Sequence, residues 1–287
     1  MLRHPDVHMS EYSALHVSAP CDELFIYYLE GSLKNDPLGL LNFIGNWQED
    51  GFTFLFFSSP AMDQVQRLTS AADGLRFIDQ YQMSYQDWVG EKLAPFHTKL
   101  LSVSPPWSPF PPEPDKKQII LDPGVVFGAG SHPTTRNCLE AIECAWQFRS
   151  VTSALDLGTG TGILAIAAAC LGCSHVLAVD INRLAVQTTL RNIRLNRLEN
   201  RILAVQSSAT DCLHWYSDLL IANIHYDVMK QLVRSDGFLK HHMYILSGLL
   251  RSEAADIESQ LKHLPLILMQ KWDQNGIWFT FWFVRKY

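Results

Sequence analysis

Leu155-Asp156-Leu157-Gly158-Thr159-Gly160-Thr161-Gly162 is the stretch on which the fold turns. Ser153 to Leu157 is a short apolar run, the pattern of a buried parallel strand. The glycines then turn the chain into an Ala/Leu/Ile-rich helix expected over residues 163–171. A second apolar run, Val176 to Val179, ends on Asp180. Strand, glycine turn, helix, strand and acid together make a nucleotide-binding βαβ unit. Glycines let a ligand approach the backbone and present amide N–H groups at a helix start. An acid at the tip of the second strand can accept from both ribose hydroxyls.

The spacing selects among nucleotides. Glycines at 158, 160 and 162 depart from the G-x-G-x-x-G of dinucleotide sites. Asp156 would repel a phosphate but attract an ammonium group. The expected cofactor is therefore S-adenosylmethionine, whose methionine end carries an ammonium, rather than NAD. The alternative is a tight strand–helix turn with no ligand.

The rest of the chain sets bounds. Its 287 residues suit about two domains, and 47% hydrophobic with 18% charged residues is ordinary for a globular protein. The longest apolar stretch, Gly162 to Cys170, falls far short of the ~20 residues a membrane span needs. Met1 to Tyr12 has no signal-peptide pattern, so a cytoplasmic location is expected. Six cysteines form no dense framework; Cys170-Leu-Gly-Cys173 has redox spacing but is expected to be reduced and packed. No Cys/His cluster has zinc spacing, and His241-His242 is expected on the surface, so no metal is expected. Residues 1–117 hold 8 Lys/Arg against 15 Asp/Glu. That excess of acid disfavours nucleic acid and suits a basic protein partner.

Fourteen residues in the whole chain are proline, and six of them fall in Pro105–Lys117, which reads as an extended connector between domains. Upstream, residues 1–104 read as a small α+β domain, ferredoxin-like in outline, with substrate-recognising work. Strands are expected at 14–17, 52–57, 78–83 and 100–103, and helices at 21–29 and 61–70. Downstream, residues 118–287 alternate strand and helix. The expected strands are 118–121, 153–157, 175–180, 201–205, 218–222, 243–247, 264–271 and 277–284. Asn275-Gly276 between the last two is a hairpin signal. An α/β doubly wound sheet closed by an antiparallel hairpin is the Rossmann-like architecture of class I methyltransferases. Trp278 to Phe283 fits an inner strand of that sheet better than a dimer face.

Leu121-Asp-Pro-Gly-Val-Val-Phe-Gly-Ala-Gly-Ser-His-Pro-Thr-Thr135 closely resembles a segment of the PrmA-type ribosomal protein methyltransferases. The glycine stretch through Ala169, Val179-Asp-Ile181 and Ala222-Asn-Ile224 resemble further segments of the same family. The likeness covers about residues 118–285. It implies methylation of amino groups on large-subunit ribosomal protein eleven, with S-adenosylmethionine as cofactor.

Site roles follow from motif and resemblance together. Phe127, Gly128, Gly130 and His132 would lie over the cofactor, with Phe127 packing on an apolar part of it. Thr134 and Thr135 open a helix, and the resemblance implies that Thr135 contacts the cofactor. Asp156, Gly158, Thr159, Gly160 and Gly162 would form the floor. Asp180 and Ile181 would meet the ribose side, and Ser208 and Ala209 the adenine. Asn223-Ile-His-Tyr226 follows a central strand, so Asn223 and Tyr226 are the expected catalytic residues. The family usually has Asn-Ile-Leu-Ala there, so this acceptor end is its own. Three readings stay open: a protein amino methyltransferase, a related enzyme acting on nucleic acid or a small-molecule amine, and a non-catalytic cofactor-binding module.

Overall fold

A computed structural model describes residues 21–34, 37, 39–89, 94–111, 113–126, 128, 130 and 132–286. The expected strand at 14–17 lies outside the described residues. The first element is β1 (Glu23–Glu30), where a helix was expected over 21–29. Its run Leu-Phe-Ile-Tyr-Tyr-Leu has no polar face to give a surface helix. Aromatic and β-branched residues instead suit a strand covered on both faces, and β3 (Phe52–Phe57) and β4 (Arg76–Ser84) pair with it on either side. β2 (Phe43–Glu49) completes an antiparallel sheet of order β2-β3-β1-β4. That is the ferredoxin-like strand order, with α1 (Met62–Ala71) crossing from β3 to β4. Residues 31–42 connect β1 to β2 with no helix among their described residues.

One face of this sheet packs on α1 through Tyr27, Leu29, Leu55, Phe57 and Val65. The other packs Leu24, Ile26 and Phe56 against Tyr85 of α2 (Tyr85–Val89) and against Val125 and Leu184 further along the chain. A small sheet follows: β5 (Phe96–His97), β6 (Leu101–Ser104) and β7 (Lys117–Ile120). The proline-rich run is the loop joining β6 to β7, which pair in parallel, so both its ends are anchored in one sheet.

The second half is doubly wound. α3 (Pro133–Phe148), β8 (Ser153–Leu157), α4 (Ile163–Cys170), β9 (His175–Asp180), α5 (Arg183–Leu195) and β10 (Ile202–Gln206) come first. β11 (Leu219–Asn223), α6 (Tyr226–Arg234), β12 (Met243–Leu250), α7 (Arg251–Leu261), β13 (Leu266–Gln274) and β14 (Trp278–Arg285) follow. The sheet order is β10-β9-β8-β11-β12-β14-β13, parallel except for β14, which runs antiparallel to both of its neighbours. The strand order reverses at β8, so a ligand crevice opens at the carboxyl ends of β8 and β11. Asn275 and Gly276 both have positive φ, as a tight hairpin turn of this kind requires. β14 lies between β12 and β13 with a buried middle, which makes Trp278–Phe283 an inner strand.

His241 departs from its expected surface position. It is fully buried, shares a 2.7 Å hydrogen bond with Ser217 Oγ, and stands edge-on to Tyr244. Burial drives its pKa down to about 4, so the ring is neutral. Cys173 is buried and Cys170 partly so, and burial pushes their thiols up to about 12 and about 11.

Candidate functional site

The glycine turn is pinned before any ligand is considered. The amides of Gly158 and Thr159 both donate to the carbonyl of Val179, at 2.8 and 2.9 Å. Gly158 has φ +71°, and a Cβ there would lie 2.3 Å from Ile224 Cγ2. Only glycine permits both the left-handed turn and this approach to the loop after β11. The amide of Gly160 donates to Asp180 Oδ2 at 3.0 Å, and that of Asn182 to Oδ1 at 2.9 Å. Each carboxylate oxygen keeps a further lone pair for a hydroxyl donor. Burial raises the Asp180 pKa against the pull of these backbone bonds.

Asp156 sits under the turn, fully buried. Its Oδ2 accepts from the Thr159 hydroxyl at 2.7 Å and from the Ala165 amide at 3.2 Å. Its Oδ1 is buried with no partner among the described residues. Burial pushes the carboxyl up to about 7, the two hydrogen bonds oppose this, and the nearby Asp180 adds to it. Thr135 presents the complementary case, a buried hydroxyl without a partner among the described residues. A lone acceptor and a lone donor at these two positions match the ammonium and carboxylate of a methionine moiety. The residues therefore fit the expected cofactor.

His132 caps α3. Its Nδ1 lies 2.7 Å from Thr134 Oγ1 and accepts from the Thr134 amide at 3.4 Å. The ring stands edge-on to Trp278 with centroids 4.9 Å apart. Burial lowers its pKa, and the Thr134 amide uses Nδ1 as an acceptor. Gly128 and Gly130 tie the cover segment down: Thr161 Oγ1 donates to the Gly128 carbonyl at 2.8 Å, and Arg136 Nε to that of Gly130 at 3.2 Å. Phe127 lies outside the described residues.

On the ribose side, Ile181 follows Asp180 and is 74% exposed, an apolar surface with no cover among the described residues. The loop after β10 runs beside it, since Ser207 donates to the Asp180 carbonyl at 3.0 Å. Ser208 pairs with Thr210 at 2.8 Å, and Ala209 packs on the core next door. Gly162 caps α4 in the left-handed conformation.

Asn223 ends β11 in register with Ser247, and its side chain makes no hydrogen bond among the described residues. Its Oδ1 lies 3.2 Å from where a Cβ on Gly248 would be, so that glycine keeps the wall beside it open. Tyr226 opens α6 after β11, and its hydroxyl has a partner. Its hydroxyl donates to Asp256 Oδ2 on α7 at 2.8 Å, and Lys230 Nζ lies 4.3 Å from its ring centroid. The bond to Asp256 raises its pKa. It clips α6 to α7 and keeps its proton.

Reading the sequence assigned no role to Asp122, which is almost fully buried. Its Oδ1 accepts from the Tyr85 hydroxyl at 2.7 Å, and its Oδ2 lies 3.0 Å from Arg191 on α5. Asn192 bonds both its amide and its carbonyl at 2.8 Å and also reaches the Thr161 carbonyl at 2.8 Å. The available signal was an asparagine on the apolar face of α5, beside Leu184, Ala185 and Ile193. No group of three His, Cys, Asp or Glu among the described residues could hold a metal ion.

The sequence profile of the family "Ribosomal protein L11 methyltransferase (PrmA)" matches residues 57–286. A ribosomal protein L11 methyltransferase of Lactobacillus johnsonii is 31% identical over 279 residues, covering 91% of this chain and 87% of its own. One from Staphylococcus epidermidis is 32% identical over 216 residues, covering 70% and 69%. The crystal structure of a ribosomal protein L11 methylase from Lactobacillus delbrueckii subsp. bulgaricus superposes with a TM-score of 0.57 at 29% identity, covering 66% of this chain and 96% of that one.

Proposed function

We infer, from the premise that this chain belongs to the ribosomal protein L11 methyltransferase (PrmA) family, that it moves methyl groups from S-adenosylmethionine to amino groups of ribosomal protein L11. The observation that carries the reading is that Asp156 Oδ1 at the end of β8 and Thr135 Oγ1 in the first turn of α3 are both buried with no partner among the described residues. Asp156 would hold the ammonium, Thr135 the carboxylate, and Asp180 the ribose hydroxyls. Ile181 would lie against the adenine beside Ser208 and Ala209.

S-adenosylmethionine supplies an electrophilic sulfonium methyl when bound. The protein's work is to deliver a neutral amine in line with it. A lysine amine has an ordinary pKa near ~10.4 and must shed a proton before attack. Asn223 carries the acceptor role: its free Oδ1 can accept from an amine N–H and so aim the nitrogen lone pair. Tyr226 takes no part in the transfer, because its hydroxyl is committed to Asp256 and held protonated.

The acidic N-terminal sheet, residues 23–84, would dock the basic ribosomal protein. A ribosomal acceptor supports a cytoplasmic location. The test is transfer of radiolabelled methyl groups to recombinant L11, ribosomal RNA and a metabolite extract, each assayed separately. Label in L11 is expected; label confined to RNA or metabolites, or to none, overturns the reading.

A further inference from the structure

Asp122 is a junction between the sheet that would dock the acceptor and the loops that would hold the cofactor. On the sheet side it accepts from Tyr85, the residue that follows β4 and is buried with Leu24, Ile26 and Phe56 of that sheet. On the cofactor side, Asn192 bonds the Asp122 amide, the Asp122 carbonyl and the Thr161 carbonyl, each at 2.8 Å. Thr161 passes the connection on, since its hydroxyl donates to Gly128 in the cover segment. Arg191 balances the buried Asp122 charge from α5, and Gly124 donates a further bond to Asp122 Oδ1 at 3.0 Å.

A hydrogen bond from a buried hydroxyl to a buried carboxylate is strong and directional. It therefore holds an angle and a height, beyond adding stability. We propose that Tyr85 is a positioning residue: through Asp122 and Asn192 it sets the docking sheet at a fixed height above the glycine turn, so that an amine on the bound acceptor reaches the methyl group in line. The inference rests on the proposed acceptor being a protein that docks on the sheet. It separates two duties. Asn192 holds the glycine turn whether or not Tyr85 is present. Tyr85 holds only the sheet.

Tyr85→Phe removes one hydroxyl and keeps the packing. The expected result is a fall of about tenfold in kcat/KM for L11, with the dissociation constant for S-adenosylmethionine, measured by calorimetry, within about twofold of wild type. Unchanged kcat/KM, or cofactor affinity falling in step with it, overturns the proposal. Hydrogen–deuterium exchange needs no acceptor and keeps the test sharp if wild type fails to methylate L11, an outcome that sinks the substrate reading alone. In Tyr85→Phe, amides of residues 121–126 should exchange faster while those of 158–162 stay protected. No change at 121–126, or equal loosening of both segments, refutes the latch.

Discussion

Asn223 and Asp156 make the sharpest tests at the scale of single residues. Asn223→Ala removes an amide that no other described residue engages, so the fold should not notice. Turnover on L11 should drop about a hundredfold, in the range that loss of a well-placed polar group produces. Calorimetric affinity for S-adenosylmethionine should stay within about twofold, and near-normal turnover would remove Asn223 from the transfer step. Asp156 predicts a pH dependence whose sign can be worked out. Its carboxyl lies at about 7 in the folded chain against 3.8 ordinarily. Between those values the folded chain binds more protons than the unfolded one, so this group favours folding in acid and withdraws that help as pH rises to about 7. Cofactor binding runs the other way, because an ammonium prefers the carboxylate. Affinity should climb by up to about tenfold per pH unit below pH 7 and level off above it. In Asp156→Asn the profile should be flat. A flat profile in wild type would separate Asp156 from the ammonium.

The β8–α4 turn shows how an element depends on one backbone conformation. Gly158→Ala would combine a positive φ with a Cβ 2.3 Å from Ile224 Cγ2. A non-glycine residue held there costs roughly 1–3 kcal/mol before the clash is counted. The melting temperature should fall by several degrees, and S-adenosylmethionine affinity should fall at least tenfold. An unshifted melting curve with normal affinity would mean that the turn and the Ile224 loop relax apart freely. This turn was readable because alternate glycines between an apolar strand and an alanine-rich helix leave a local trace. β1 was not readable in the same way. Leu24 to Leu29 suits a buried helix or a strand covered on both sides, and only the pairing with β3 and β4 decides between them.

Across the whole molecule, the two halves meet where Gly45 on β2 faces Leu184 on α5. A Cβ at Gly45 would lie 2.7 Å from Leu184 Cδ1, so even the smallest side chain must push the sheet or the leucine aside. Gly45→Val should therefore lower kcat/KM for L11 about tenfold and leave S-adenosylmethionine binding within about twofold, as steady-state kinetics and calorimetry would read. Equal losses in both would place the damage in the cofactor half. The same packing explains why the asparagine cap of α5 reaches across: Asn182 Nδ2 donates to the Asn46 carbonyl at 3.2 Å, while its own amide bonds Asp180. The proposed docking sheet and the proposed ribose site thus share one helix start.

By itself the sequence determined the doubly wound half, the glycine turn, Asp180, the hairpin at Asn275-Gly276 and the position of Asn223 at a strand end. Each depends on a period, a φ requirement or a strand–turn–helix order that is written within a few neighbouring residues. Tertiary structure alone decided which polar groups are spoken for. Tyr226 found its partner in Asp256, 30 residues on, and His241 was drawn inward to Ser217 across 24 residues. Asp122 gained its role from Tyr85 and from Asn192, 37 and 70 residues away. A buried polar side chain must find a partner wherever the folded chain brings one, and that choice leaves no periodic mark in the residues around it.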